Sequence, residues 1–383
     1  MGHLSEQYLG QRIERARQRV GLSQGQLADA VGLGQSAISR VESGQRAVGS
    51  LELASIADRL GVTILDLLEA QPLAEELRVA ARVGESTPEG AELALGRVVD
   101  LVRFAQLLDE LGEGAAQPAR SWQPPLAAGA SSVSQGAGLA DWARTTWGLD
   151  DDPLSNLFSV IEEQAGLPIA LEPLNERVAG LVAHLGGTAI ALVDSSVAWG
   201  RQRFTAAHEL CHFLCGDGGP LLIDQTLFGD ASEERRANAF AAHFLMPEQA
   251  VRRYLRGREI DERVVVELQF TFGVSLDALL WHLLNLQLLS AERRASIAAS
   301  GARALASRYG FRAEWGQAES QRGVRRPPAL LYERAVDAYA HGRIGIEAIG
   351  DLAGRADVAV LRRELEDSGV AYDEGWWDTE AEA

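Results

Sequence analysis

Arg203-Phe-Thr-Ala-Ala-His-Glu-Leu-Cys-His-Phe-Leu-Cys-Gly216 is the stretch on which the interpretation of this chain depends. It contains an H-E-x-x-H pattern, in which His208 and His212 stand four residues apart. Residues at this spacing share one face of a helix, so both imidazoles would point toward one zinc ion. Glu209 would stand beside them, placed to take a proton from water. An apolar stripe and a closing glycine predict that the stretch is a helix.

Length, charge and cysteine content limit the classes of protein to consider. A chain of 383 residues predicts two to three domains, and its net charge of -18 makes it a poor general binder of nucleic acid. Any DNA contact must therefore come from a local patch. The two cysteines, Cys211 and Cys215, form no disulfide framework and fit a reducing cytosol. Without a signal-type N-terminus or an apolar run of spanning length, we expect a cytoplasmic protein with no membrane contact.

Residues 1–70 are predicted to form an all-α domain. A glycine that ends the first helix and a serine N-cap occupy residues 21–23. Helices are predicted over 24–31 and 35–42, with a glycine turn between them. Further helices are expected around 50–60 and 64–69. Two short helices across such a turn, the second with a small polar outer face, indicate a helix-turn-helix. Segment 1–46 holds six arginines against four acidic residues, so it is locally basic.

This segment closely resembles the XRE family of helix-turn-helix domains. The resemblance lies in Gly21-Leu-Ser-Gln-Gly-Gln-Leu-Ala28, Gly34-Gln-Ser-Ala-Ile-Ser-Arg-Val-Glu-Ser-Gly44 and Leu60-Gly-Val. It implies that double-stranded operator DNA is a partner, with phosphates or bases facing Gln24, Gln35, Ser36, Ser39, Arg40 and Arg46. At base edges, Gln suits adenine and Arg suits guanine. A helical bundle with a solvated polar face, or a helix-turn-helix used for protein contact, is the alternative.

The remaining chain is predicted to comprise four further regions. Residues 71–111 are expected to be a helical connector of a kind that packs or supports a homodimer, and 112–138, rich in Gly, Ala, Ser and Pro, a flexible linker. Residues 139–295 place a helix and short strands before the motif helix, which predicts an α+β domain whose edge strand would hold an extended peptide. Residues 296–383 are expected to be mostly helical, with an acidic tail.

Zinc needs a third protein ligand, and the helix predicted from Ser232 to Pro247 offers one. At about 100° per residue, Glu234 lies near small or polar neighbours that allow close approach to a metal, whereas His243 lies about 180° away from it. This geometry favours Glu234 and leaves Glu233, His243 and Cys215 as rivals. No oxyanion stabiliser can be identified from the pattern; the candidates are Arg203, His184 and His243.

Together the two helices resemble the ImmA/IrrE metallopeptidases, over roughly 150–290. The second motif is Glu234-x-x-Ala-Asn-x-Phe-Ala-Ala-x-x-Leu-Met-Pro247; Cys211 and Arg236 depart from the family pattern, where glycine and an acid are usual. The resemblance implies a zincin-like fold, with Zn²⁺ held by His208, His212 and Glu234, and with Glu209 as the catalytic base.

Members of that family cleave helix-turn-helix repressors. The chain is thus expected to be a DNA-binding regulator with an endopeptidase domain that acts on a separate repressor or on its own linker, in a stress, phage or toxin–antitoxin type of response. The alternative is a non-proteolytic, antitoxin-like repressor in which the metal-binding fold serves as sensor or dimer scaffold.

Overall fold

The computed structural model describes residues 6–62, 64, 67, 91–113, 122–127, 129–174, 178–185, 188–217, 221–224 and 232–372. The chain divides into two compact units, residues 1–78 and 79–383. Most of the helix expected at 64–69, the first part of the connector (71–90) and the acidic tail (373–383) lie outside the described residues.

The first unit is the predicted all-α domain. Its helices are α1 (Glu6–Arg19), α2 (Gln24–Val31), α3 (Gln35–Glu42) and α4 (Ser50–Leu60). Ser23 caps α2 by accepting from the backbone N–H of Gln26, and Gln26 returns a bond from its side chain to the backbone N–H of Ser23. Gly32 ends the helix with φ 70°, a conformation that glycine adopts without strain. Local sequence signals therefore set both ends of α2, as predicted.

The second unit surrounds one small sheet with helices. The elements in chain order are α5 (Ala91–Glu110), α6 (Ser132–Thr146), α7 (Leu157–Val160, continued by a π-helical turn over Ile161–Ala165), β1 (Ile169–Glu172), β2 (Gly180–Leu185), β3 (Thr188–Asp194), α8 (Trp199–Cys215), β4 (Leu221–Asp224), α9 (Ser232–Leu245), α10 (Glu248–Leu255), α11 (Glu262–Phe272), α12 (Leu276–Asn285), α13 (Ala291–Ser300), α14 (Ala302–Tyr309), α15 (Arg312–Ser320), α16 (Ala329–Ala340), α17 (Ile346–Ala353) and α18 (Val358–Asp367).

The strand order is β1-β3-β2-β4, with β1 parallel to β3 and the other pairs antiparallel. Alternate residues of β3 enter different cores, because successive strand side chains point to opposite faces. Ala191 and Val193 share the core with α8, whereas Ile190 and Leu192 are buried outside it, and α5 also contacts β3. The predicted connector helix α5 therefore belongs to the second unit.

The predicted linker over 112–138 is wrong from Ser132 onward, where α6 begins. Helix α6 packs against α9, and a Cβ added to Gly136 would lie 2.3 Å from the carbonyl oxygen of Arg236. The earlier Trp122 also packs, because its Nε1–H donates to the carbonyl of Ala165 at 2.8 Å. The small residues of this segment permit close helix packing. A segment rich in small residues can be either a flexible linker or a closely packed helix, and its composition alone does not decide between the two.

The predicted boundary at 295/296 is also wrong, since it cuts α13 and the core. Ile297 and Leu305 are completely buried with the side chains around α8. The chain then returns to the edge of β1, where Arg326 and Leu171 exchange backbone hydrogen bonds of 2.9 and 3.0 Å. The segment between α14 and α16 contains α15 and this added strand-like bridge.

Two buried carboxylates connect the sheet to surrounding segments. Glu172 pairs with Arg97 of α5 at 2.6 Å and with Arg325 at 3.2 Å. Glu162 pairs with Arg326, although burial still raises the pKa of its carboxyl above the ordinary value. Each carboxylate thus depends on arginines that lie far away along the chain.

None of the described helices alone has the length and hydropathy needed to cross a membrane. Helices α11 and α12 meet both criteria only as a pair, with a bend of 107° between them.

The two glycines of α6 provide a matched test of its packing. Gly136→Ala should lower the free energy of unfolding by about 1–3 kcal/mol, because the methyl group would collide with the α9 backbone. Gly138→Ala, which meets nothing within 4 Å, should leave stability unchanged or raise it slightly. Urea unfolding of the full chain measures both, and equal effects would contradict the described packing of α6.

Candidate metal centre and nucleic-acid interface

Helix α8 brings the two motif histidines together. It lies between the sheet and α9, and it continues to Gly216, whose φ of 68° ends it. His208 and His212 are both buried, and their Nε2 atoms are 3.0 Å apart. The spacing of four residues therefore gives the shared face that the sequence predicts.

Glu234 of α9 completes the cluster. Its carboxylate oxygens lie 3.3 Å from His208 Nε2 and 3.4 Å from His212 Nε2. Two ligand atoms about 2.0–2.1 Å from a tetrahedral zinc are themselves about 3.3–3.4 Å apart. Within the described part of the chain, these three residues are the only His, Cys, Asp or Glu group with this convergence, all ligand atoms lying within 4.8 Å.

Hydrogen bonds at the far side of each ring determine which nitrogen faces the cluster. His208 Nδ1 lies 3.1 Å from Asn238 Oδ1, and His212 Nδ1 lies 2.9 Å from Asp217 Oδ2. Both oxygens are acceptors, so each Nδ1 donates its proton, and in its neutral form each ring turns an Nε2 lone pair inward. Two lone pairs and a carboxylate then face one point.

This donor set fits a divalent cation. Facing lone pairs repel one another, and Glu234 Oε2 is buried without a hydrogen-bond donor. Leaving such a polar atom unpaired costs about 1–3 kcal/mol. Two imidazoles and a carboxylate with an open fourth position are the usual donors of catalytic zinc sites. His208, His212 and Glu234 can thus hold zinc.

Glu209 is fully buried beside the cluster, against the start of β2. A Cβ added to Gly180 would lie 2.4 Å from Glu209 Oε1 and 2.7 Å from Thr205 Cγ2. Glycine at this position of β2 therefore leaves the space that the carboxylate occupies. The sequence pattern did not point to Gly180, because a strand glycine has many explanations.

The rival ligands lie elsewhere. His243 packs edge-on against His282, with ring centroids 4.9 Å apart, and His282 in turn bonds the carbonyl of Met246 at 2.8 Å. Burial lowers the pKa of His282 to about 4, so this ring is neutral at pH 7. Glu233 is exposed and accepts from Ser232, while Cys215 ends α8 outside the convergent group.

Arg203 has a structural position rather than a free guanidinium. It donates to the carbonyls of Gly273 at 2.9 Å and Leu154 at 2.5 Å, and burial lowers its pKa to about 10. His184 of β2 stacks on Phe213, with centroids 6.1 Å apart, and burial lowers its pKa as well. Among the oxyanion candidates, Arg203 is therefore already engaged by backbone, and His243 lies with His282.

In the first unit, α3 presents the predicted polar face. The side chains of Gln35, Ser36, Ser39 and Arg40 are exposed, whereas Ile38 is fully buried. Gln24 donates to Glu42 at 2.8 Å, and Glu42 also pairs with Arg17 at 2.6 Å. Arg46 pairs with Glu52 at 2.7 Å. Neither Gln24 nor Arg46 is thus as free as the four exposed residues of α3.

Comparisons with known proteins agree with the division of the chain into two units. Residues 13–67 match the family described as helix-turn-helix, and residues 153–283 match the IrrE N-terminal-like domain of the peptidase M78 family. No curated protein matches the chain. The chain combines an XRE-type helix-turn-helix domain with an ImmA/IrrE-type domain.

Two solved structures align along nearly the whole chain. The Bacillus thuringiensis PlcR complex with the peptide PapR7 and DNA shares 14% identity over 96% of this chain and 100% of that one, with a TM-score of 0.19. The apo competence regulator ComR from Streptococcus vestibularis shares 11% identity over 96% and 99%, with a TM-score of 0.16. Scores this low add nothing to the assignment.

Substitutions in the His208–His212–Glu234 cluster, compared with one at His243 outside it, give a direct test of the metal centre. After dialysis against a weak chelator, elemental analysis should find about one zinc per wild-type chain, as a three-ligand site predicts. His208→Gln and Glu234→Gln should lose most of it, because each replaces an imidazole or carboxylate of the cluster with a weakly coordinating amide. His243→Gln should retain it. Equal zinc loss in all three variants would contradict the assignment.

Proposed function

We propose that this chain, which joins an XRE-type helix-turn-helix domain to an ImmA/IrrE-type domain, is a DNA-binding transcriptional regulator with zinc-dependent endopeptidase activity. The observation that carries the proposal is the convergence of His208, His212 and Glu234 beside the buried Glu209. A structural zinc site would use four protein ligands and would not require a buried carboxylate next to it.

The chemistry divides between the metal and one carboxylate. Zinc, when bound, supplies a Lewis acid that polarises a peptide carbonyl and makes water more acidic. Glu209 accepts the proton of the attacking water and passes it to the leaving amine. Glu209 follows His208 directly in α8, and its carboxylate lies against Gly180 of β2. Burial favours this role, because in a closed site bulk water does not compete with the carboxylate for the proton.

An extended polypeptide is the substrate that this arrangement favours. Strand β4 lies at the end of the strand order β1-β3-β2-β4 and lies between α8 and α9 in the chain. An extended peptide adds to such an edge through backbone hydrogen bonds. The opposite edge is already occupied at Leu171 by Arg326. The substrate is thus an extended segment of another protein, and we propose a helix-turn-helix repressor.

Cleavage within the described part of the chain's own linker, from Trp122 onward, is less favoured. The linker predicted over 112–138 ends in α6, and Trp122 packs edge-on against Trp142 and Trp147, with centroids 5.9 and 5.8 Å apart. A docked segment does not easily extend along a strand, because it would first lose these contacts. A separate protein substrate needs no such release.

The exposed face of α3 is proposed to read the major groove. Gln35, Ser36, Ser39 and Arg40 form a continuous polar surface on a short helix that begins at a glycine turn. Gln24 and Arg46 each donate to a carboxylate and retain further N–H donors for phosphates. Base reading would therefore reside in α3, with the flanking residues adding affinity.

Proteolysis is tested by comparing wild type with Glu209→Gln in cells, using labelling of newly formed protein N-termini. Wild type should generate new termini that are absent from the variant, including one in a helix-turn-helix protein. Glu209→Gln should keep its zinc, because Glu209 is outside the ligand group. A zinc-loaded wild type that yields no new termini would reject the peptidase and favour a metal-sensing repressor.

DNA binding is tested on the fragment upstream of the chain's own gene. Arg40→Ala should weaken binding by about tenfold or more, since one good base contact contributes about 1–3 kcal/mol. Arg59→Ala, on an exposed position of α4, is the matched loss of one positive charge and should have little effect at moderate salt. Fluorescence anisotropy at two salt concentrations measures the DNA affinity of both variants and separates loss of a base contact from loss of charge. Equal losses of affinity in Arg40→Ala and Arg59→Ala would argue against α3 as the reading helix.

A further inference from the structure

We infer that Asp217 and Arg236 act as a positioning pair that orients His212 and strengthens its bond to the metal. This inference rests on the proposed zinc site. Neither residue belongs to the ligand set or to the H-E-x-x-H pattern, and Arg236 stands where the family usually has an acid. Their contacts with His212 and with each other carry the argument.

Asp217 contacts His212 twice. Its backbone N–H donates to the His212 carbonyl at 3.1 Å, because Gly216 turns the chain back at the end of α8. Its carboxylate Oδ2 accepts from His212 Nδ1 at 2.9 Å. The side-chain contact fixes the plane and the tautomer of the ring, so Nε2 is held toward Glu234 before any metal binds.

Arg236 holds that carboxylate in place. Its Nη2 lies 2.6 Å from both oxygens of Asp217, and the two side chains are only 10% and 13% exposed. A desolvated pair of this kind is strongly directional, since solvent no longer competes for either group. Arg236 also lies two residues after Glu234 on α9. The pair therefore connects the end of α8 to the helix that supplies the third ligand.

The two histidines are consequently supported in different ways. His208 donates to the neutral amide oxygen of Asn238, whereas His212 donates to a charged carboxylate. A carboxylate partner makes the opposite nitrogen a stronger electron-pair donor than an amide does. Arg236 moderates this effect and prevents the carboxylate from turning away. We therefore expect His212 to depend on its partner more than His208 does.

The test measures zinc affinity of the full-length chain by competition with a chromogenic chelator. Loss of a hydrogen-bonding partner of a metal ligand typically weakens binding about 10- to 100-fold, and Asp217→Ala should fall in that range. Asp217→Asn, which retains an acceptor without charge, should recover part of the loss. Arg236→Met should weaken binding less than Asp217→Ala, and the double variant should equal Asp217→Ala, because Arg236 acts through Asp217.

The exposed pair Arg252–Glu248, 2.6 Å apart on α10, is the matched control. Arg252→Met should leave zinc affinity unchanged. The visible spectrum of the Co²⁺-substituted chain adds a readout that a merely structural ion pair would not move: Asp217→Ala and Arg236→Met should change the intensity and position of its bands. Circular dichroism of the metal-free variants checks that they are folded. If Asp217→Ala does not fold, Asp217→Asn takes its place in the comparison.

The outcomes separate this inference from the proposed site. Folded Asp217 and Arg236 variants with wild-type zinc affinity and an unchanged cobalt spectrum would overturn the positioning pair and leave the zinc site intact. Additive losses in the double variant would overturn the idea that Arg236 acts through Asp217. A wild-type chain that binds no zinc would overturn both the site and the inference.

Discussion

Burial of a polar helix is the constraint on which the second unit depends. Helix α8 carries Gln202, Arg203, Thr205, His208, Glu209 and His212 at positions with almost no exposure. Each buried polar group needs a partner, because losing water without replacement costs a few kcal/mol. Gln202 donates to the carbonyls of Ser195 and Val197, and Arg203 donates to those of Gly273 and Leu154. The surrounding loops are thus held by the same helix that presents His208 and His212.

Helix packing brings Glu234 to the two histidines of the H-E-x-x-H motif. Glu234 reaches the histidines because α9 lies against α8, and α9 is held on its other side by α6. Gly136 allows the close approach of α6, just as Gly180 leaves space for Glu209 beside β2. Two glycines that carry no chemistry therefore help to determine where two carboxylates lie. The position of Gly136 in α6 shows that the packing of α9, which carries Glu234, depends on a segment before the family match at 153–283.

The sequence was informative wherever the signal was local. Helix spacing predicted the shared face of His208 and His212 and separated Glu234 from His243, and the capping residues predicted both ends of α2. It failed where the same composition suits two structures: small residues from Ser132 onward indicated a linker but form a packed helix. Asp217 was missed because its role requires Arg236, which is distant in sequence and joins it only after α8 and α9 pack.

The buried carboxylates of Glu162 and Glu172 bear on how such chains can be assembled. Both lie within the segment that matches the IrrE N-terminal-like domain, yet their arginine partners Arg97, Arg325 and Arg326 lie outside it. Separating a buried ion from its partner costs about 3–5 kcal/mol, a large part of the stability of an ordinary domain. The segment recognised as a family is thus smaller than the unit that can be inherited, exchanged or expressed by itself. In this protein, a viable module includes α5 and extends through the Arg325–Arg326 segment.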